Sequence, residues 1–257
     1  MKIAITGKGG VGKTTLSGTL ARLYAEEGYR VVAVDADPDA NLASSIGLPK
    51  DSAQKLTPLA DMKDLVEERT GMKPGTTGGF FTINPKVDDI PEKYSVEYKG
   101  IKMLVMGTVD TGGSGCVCAE HVLLRNLMAH LVLERKDVVI MDMEAGVEHL
   151  GRGTAQAVDA FIVVVEPGAR SVQTAEKVKQ LANDIGVKQV MVVGSKIRKE
   201  SDKQFIIDSL SNLEVIGFLS YDEKVVEADL KGIAPYDNSP KTVEEVKDIK
   251  KRLEKLE

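Results

Sequence analysis

Two hydrophobic rhythms alternate along the chain. Short, nearly continuous apolar runs occupy residues 2–6, 30–34, 101–106, 137–141, 160–165, 189–193 and 215–219, with a weaker one at 80–83, and each reads as a strand buried in a sheet. Between them, apolar residues recur at helical spacing. Leu16, Leu20, Leu23 and Tyr24 predict a helix that ends at Gly28, and Leu59, Met62, Leu65 and Val66 predict another over residues 59–69. A third carries Val122, Leu123, Leu124, Leu127, Met128, Leu131 and Val132. It is apolar around much of its circumference, so it lies deep or meets a partner chain. A fourth spans residues 171–185 with Gly186 as its cap, and a fifth, residues 242–257, puts Val246, Ile249, Leu253 and Leu256 on one stripe and is expected to pack on its own domain. The alternation predicts one domain over residues 1–257, of α/β class, doubly wound, with a mostly parallel sheet and helices on both faces. Residues 84–100, broken by Pro85, Pro91 and Gly100, read as an irregular excursion.

The first strand and first helix are joined by Gly7-Lys8-Gly9-Gly10-Val11-Gly12-Lys13-Thr14, which fits the phosphate-loop pattern G-x-x-x-x-G-K-[ST] in its required strand-to-helix context. Its glycines allow backbone N–H groups to turn inward, and the new helix adds its positive end to the same anion. The cradle of Gly9, Gly10, Val11, Gly12, Lys13, Thr14 and Thr15 suits a triphosphate. Lys13 is expected to reach the β- and γ-phosphates, and the Thr14 hydroxyl to enter the shell of a Mg²⁺ ion.

Two further sites lie where ligands gather in open parallel sheets, beyond the carboxyl ends of strands. One is the anionic turn Asp35-Ala36-Asp37-Pro38-Asp39. The other is Asp142, which closes an apolar strand in the Walker B manner and is expected to hold Mg²⁺ through water. The segment after it, Met143 to His149, is placed to sense the γ-phosphate.

Composition narrows the setting. Hydrophobic residues make up 42% of the 257 residues, charged residues 28%, and the formal charge is −5. That balance suits a soluble protein and argues against nucleic acid as the main partner. The sequence enters its first strand at once and holds no apolar run of membrane-spanning length, so a cytoplasmic protein without a membrane partner is expected. Two cysteines are too few for a disulfide framework.

An ordinary phosphate loop does not need a second lysine, yet Lys8 follows its first glycine. In this the chain resembles the deviant Walker A ATPases (K-G-G-x-x-G-K-[ST]), which include the nitrogenase iron protein and the Min and Par positioning ATPases. The resemblance implies ATP hydrolysis in a two-fold dimer, with Lys8 reaching the partner's nucleotide as an arginine finger does. It also implies that Asp37 positions or activates the attacking water, and that Asp35 lies deeper, near Mg²⁺. Where the nitrogenase iron protein has a further aspartate, this chain has Asn41. Adenine contacts are implied for Ser195, Lys196 and Tyr221, although relatives carry Asn-Lys and Pro-Tyr where this chain has Ser195-Lys196 and Ser220-Tyr221.

Cys116 and Cys118 flank one residue on a Gly-rich stretch before a helix, where the positive helix end favours thiolates. A closed thiolate site needs four ligands, and two chains about a two-fold axis supply them. With the phosphate loop, Asp35-Ala36-Asp37-Pro38-Asp39, Asn84-Pro85-Lys86-Val87-Asp88 and Asp142-Met143-Glu144-Ala145-Gly146-Val147-Glu148-His149, the pair resembles the CooC-type nickel-inserting ATPases. That likeness implies Ni²⁺ between two chains and a client nickel metalloenzyme, carbon monoxide dehydrogenase or acetyl-CoA synthase. Four thiolates suit Zn²⁺ as well. The competing expectations are a positioning ATPase acting on membrane or DNA without metal, and an iron–sulfur electron donor.

Overall fold

The structure is a computed structural model that describes residues 1–73, 82–107, 119–133, 137–145, 154–155, 157–187 and 189–256. Eight strands form one sheet: β1 (Lys2–Gly7), β2 (Val31–Ala36), β3 (Val96–Tyr98), β4 (Ile101–Val105), β5 (Val138–Met143), β6 (Ala160–Val165), β7 (Val190–Ile197) and β8 (Glu214–Ser220). Their spatial order is β3-β4-β2-β5-β1-β6-β7-β8. All neighbours are parallel except β3, which runs antiparallel to β4 at the edge.

The apolar runs are continuous because successive side chains point to opposite faces and both faces are covered. Val31 and Ala33 join a core with Ile3, Ile5, Ile140 and Ile162, under helices Lys13–Glu26 and Pro240–Leu253. Val32 and Val34 face the other way, into a core with Val139, Met141, Phe161 and Val163, under helices Ala119–Leu133 and Ala169–Ile185. Each such buried Val, Ile, Leu or Phe contributes about 1.5–3 kcal/mol. The doubly wound class is as expected.

Helix Ala119–Leu133 lies deep, with Leu123, Leu127, Met128 and Leu131 all fully buried within the one chain. The last long helix buries Val246, Ile249 and Leu253 on its own domain, capped by Ser239 Oγ, which accepts from Thr242 N. Among the described residues no helix is long and apolar enough to cross a membrane.

Several expectations are corrected. The helix expected over residues 59–69 is a 3-10 turn, Leu59–Asp61, and a separate helix, Lys63–Thr70, because Met62 between them has ψ 76°. The segment before Gly100 contains β3, a half-exposed edge strand with no apolar run to announce it. Of the strand expected over residues 80–83, Thr82 and Ile83 are not in a strand and the other two lie outside the described residues. The last helix ends at Leu253 and continues as a 3-10 turn, Glu254–Leu256.

Candidate functional site

At the carboxyl end of the sheet, the chain leaves β1 and wraps over the N-terminus of helix Lys13–Glu26. Gly10 (φ +75°) and Gly12 (φ +102°) take left-handed conformations that a side chain would oppose. The N-cap is Gly12, which has no side chain to cap the first helical turn and so leaves its amides available to an anion. Lys13 is buried and folds back inside the loop: its Nζ donates to the Lys8 carbonyl at 3.5 Å and pairs with Asp37 Oδ2 at 3.3 Å.

Asp37 stands on a braced turn. Its amide donates to Asp35 Oδ1 (3.2 Å), its Oδ1 accepts from the Asp39 amide (3.1 Å), and the Leu42 amide donates to Asp35 Oδ2 (2.8 Å). Asp35 therefore closes both ends of the loop that presents Asp37. The short helix Leu42–Ser45 that follows is fixed to the first helix, because Ser45 Oγ donates to the Thr14 carbonyl at 2.8 Å. A Cβ at Gly18 would stand 2.4 Å from Ser45 Oγ, so that contact requires glycine.

Asp35 and Asp142 are register partners across β2 and β5, both buried within their strands rather than beyond them. Burial is the main cause that pushes Asp35 up to about 7; the Leu42 and Asp37 amides oppose it, and the Asp142 and Asp37 charges add to it. Burial likewise pushes Asp142 up to about 6, against the Thr14 hydroxyl bond, the Lys13 charge and the Ser17 hydroxyl bond. Ser17 Oγ lies 3.2 Å from Asp142 Oδ1, whereas Asp142 Oδ2 is buried with no hydrogen-bond partner among the described residues.

An orphaned carboxylate oxygen beside a Thr hydroxyl is what a hard cation would satisfy. Among the described residues no group of three or more His, Cys, Asp or Glu is arranged to hold a metal ion. Mg²⁺ does not require one, since it keeps several waters and uses substrate phosphates. The residues present therefore fit Mg²⁺, with Thr14 and Asp142 as its protein partners.

A cavity of about 670 Å³ runs from the phosphate loop past Asp37 and Ser44 to an end lined by Tyr221, Val226, Ile233 and Pro235. Gly9, Gly10, Gly12, Lys13, Thr14 and Thr15 line its polar end, whereas Val11 is buried in the core beneath. Ser195 and Lys196 also line it. The Ser195 side chain is buried against the loop, with its Oγ 3.0 Å from where a Gly12 Cβ would be. Lys196 is left-handed (φ +55°) and pairs with Glu166 at 3.3 Å. Tyr221 is stacked under Arg198, 3.6 Å from its ring centre. Lys8 is half-buried on the loop. Cys116, Cys118 and His149 lie outside the described residues.

Ser17, Gly18 and Arg22, all on the first helix, carry no motif of their own. Ser17 and Gly18 stand four positions after Lys13 and Thr14, and Arg22 four after Gly18, which is the one available signal that they share a face with the site.

Residues 2–236 match the CobQ/CobB/MinD/ParA nucleotide binding domain. The chain is 50% identical over 240 residues to the carbon monoxide dehydrogenase accessory protein CooC of Rhodospirillum rubrum, covering 93% of this chain and 91% of that one. It is 47% identical over 259 residues to an uncharacterized ATP-binding protein of Methanocaldococcus jannaschii, covering 100% and 98%. In fold it is similar to the septum site-determining protein MinD of Pyrococcus horikoshii complexed with Mg-ADP, with TM-score 0.67, 19% identity, and 99% and 96% of the two chains covered. The chain belongs to the CobQ/CobB/MinD/ParA family of nucleotide-binding domains and, within its deviant Walker A class, to the CooC-type ATPases.

Proposed function

We propose that the chain hydrolyses MgATP in a two-fold dimer and uses the cycle to deliver nickel to carbon monoxide dehydrogenase or acetyl-CoA synthase. The observation that carries the ATPase reading is the meeting of Lys13, Asp37 and Thr14 at the polar end of one cavity, with the buried Asp142 bonded to Thr14 and Ser17. The client follows from the 50% identity to the Rhodospirillum rubrum accessory protein.

In this reading the inward amides of the loop and the Lys13 ammonium bind the triphosphate and offset its charge. Thr14 and Asp142 hold Mg²⁺, which when bound neutralises charge on the β- and γ-phosphate oxygens. When Lys13 turns to phosphate, Asp37 is released from its ion pair and becomes free to orient the attacking water or accept its proton. Lys8 of each chain acts on the partner's nucleotide. Hydrolysis alters the turn carrying Asp37 and the segment that follows Asp142, and so the interface at which Cys116 and Cys118 of two chains hold Ni²⁺ as cargo; Zn²⁺ suits the same thiolates. The work is expected to occur in the cytoplasm.

The direct test combines purified chain, Ni²⁺ and ATP with nickel-free client. Client activity should rise with the complete mixture and not with Lys13→Ala; equal activation without ATP would refute the reading. The fold is shared with positioning ATPases, and pelleting with liposomes or DNA would expose such a role.

A further inference from the structure

Arg22 sits two turns along the first helix from the phosphate loop, with a side chain that is almost fully buried. Its Nη1 donates to the Ile46 carbonyl at 3.1 Å, at the end of the short helix that follows the Asp37 turn. The same guanidinium grips Asp237 with both amino groups, Nη1 to Oδ2 at 3.1 Å and Nη2 to Oδ1 at 3.0 Å. It also lies over the Tyr236 ring, 4.5 Å from the centroid, while Tyr236 OH donates to Glu26 Oε2 at 2.6 Å. Asp237 belongs to the helix Pro235–Asn238, whose first residue, with Ile233, lines the apolar end of the cavity.

One planar cation thus joins three parts: the phosphate-loop helix, the end of the segment that presents Asp37, and the wall against which the far end of a bound nucleotide must rest. A buried guanidinium that is bidentate to a carboxylate fixes relative orientation as well as distance. Gly47 (φ +84°) lets the chain turn beside it, with Ala234 Cβ 3.2 Å and Arg22 Nη1 3.5 Å from where a Cβ would stand.

We infer that Arg22 and Asp237 are positioning residues that hold the Asp37 segment in register with the nucleotide pocket, so that breaking their link slows turnover rather than binding. The inference rests on the ATPase reading. Arg22 and Asp237 touch no reacting group themselves.

Asp237→Asn is the informative variant, because its side chain is 45% exposed and the fold does not depend on burying it. The full chain is assayed with MgATP for kcat and KM, alongside melting temperature. Asp237→Asn should lower kcat about tenfold, within the usual range of coupling between sites, with KM for ATP changed less than about twofold. Arg22→Lys keeps the charge but cannot serve a carbonyl and both carboxylate oxygens in one plane, so it should not rescue kcat. The double variant should be no slower than the slower single one. A kcat equal to wild type in Asp237→Asn, whatever the melting temperature or KM, would overturn the inference. If the wild-type chain itself does not hydrolyse ATP, the ATPase reading fails first.

Discussion

Lys13 Nζ lies 3.3 Å from Asp37 Oδ2, so the lysine expected to bind phosphate and the aspartate expected to act on water neutralise one another across the mouth of the cradle. A triphosphate carries more negative charge than one carboxylate and is met by the loop amides as well, so it should draw Lys13 away and free Asp37. Asp37 is tethered independently through Asp35, so its backbone stays in place when the pair parts.

Asp37→Asn tests that division of labour. The amide keeps the shape and loses the charge, so MgATP should still bind and the dimer should persist, while kcat falls by about 10² or more. Equilibrium binding of a fluorescent ATP analogue, measured beside phosphate release, checks both parts. A variant that no longer binds MgATP would mean that Asp37 serves chiefly in the metal shell.

For Lys8→Ala the expected pattern is different. Lys13 and the backbone cradle remain, so one chain should bind nucleotide almost normally. Hydrolysis should drop by a factor on the order of 10³ if Lys8 acts as a finger in trans, and the ATP-dependent dimer should weaken in analytical ultracentrifugation. Near-normal turnover would leave Lys8 without a catalytic role.

The buried carboxyls set a pH dependence. Asp142 is raised from 3.8 to about 6 and Asp35 from 3.8 to about 7, so between those limits the folded chain binds protons that the unfolded chain has released. Stability from this source is fully present below pH 4 and is lost as pH rises through about 6 and 7. At pH 8 the ionised Asp142 costs up to about 3 kcal/mol when neither nucleotide nor Mg²⁺ is added. Asp142→Asn removes that cost, so without ligands it should melt about 5 °C or more above wild type at pH 8 and close to it below pH 4. Thermal melts at the two pH values decide, and a variant less stable at pH 8 would contradict the assignment.

Much of this fold was legible because a parallel sheet covered on both faces writes itself as apolar runs, as at residues 101–105 and 138–143. The half-exposed β3 and the helices Glu200–Ser209 and Glu223–Lys231 leave weaker traces, since exposed elements need no apolar stripe of full width. The phosphate loop, Asp37 and Asp142 are readable as motifs because backbone geometry and metal chemistry restrict the residue types allowed there. Arg22, Gly18 and Ser195 are not, because their roles depend on which distant segment packs against them: Asp237 is 215 positions from Arg22.

A nickel site shared by two chains fixes the metal stoichiometry at one ion per dimer. Ni²⁺ is titrated into the purified chain with and without ATP, and bound metal and mass are followed together by gel filtration with light scattering. One tight Ni²⁺ per two chains is predicted, appearing with the dimer and weakening as pH drops below the thiolate range. Cys116→Ser and Cys118→Ser should each lose nearly as much affinity as the double variant, because either leaves two thiolates where four are needed. One tight ion per single chain, or unchanged binding in Cys116→Ser, would contradict a thiolate site shared by two chains.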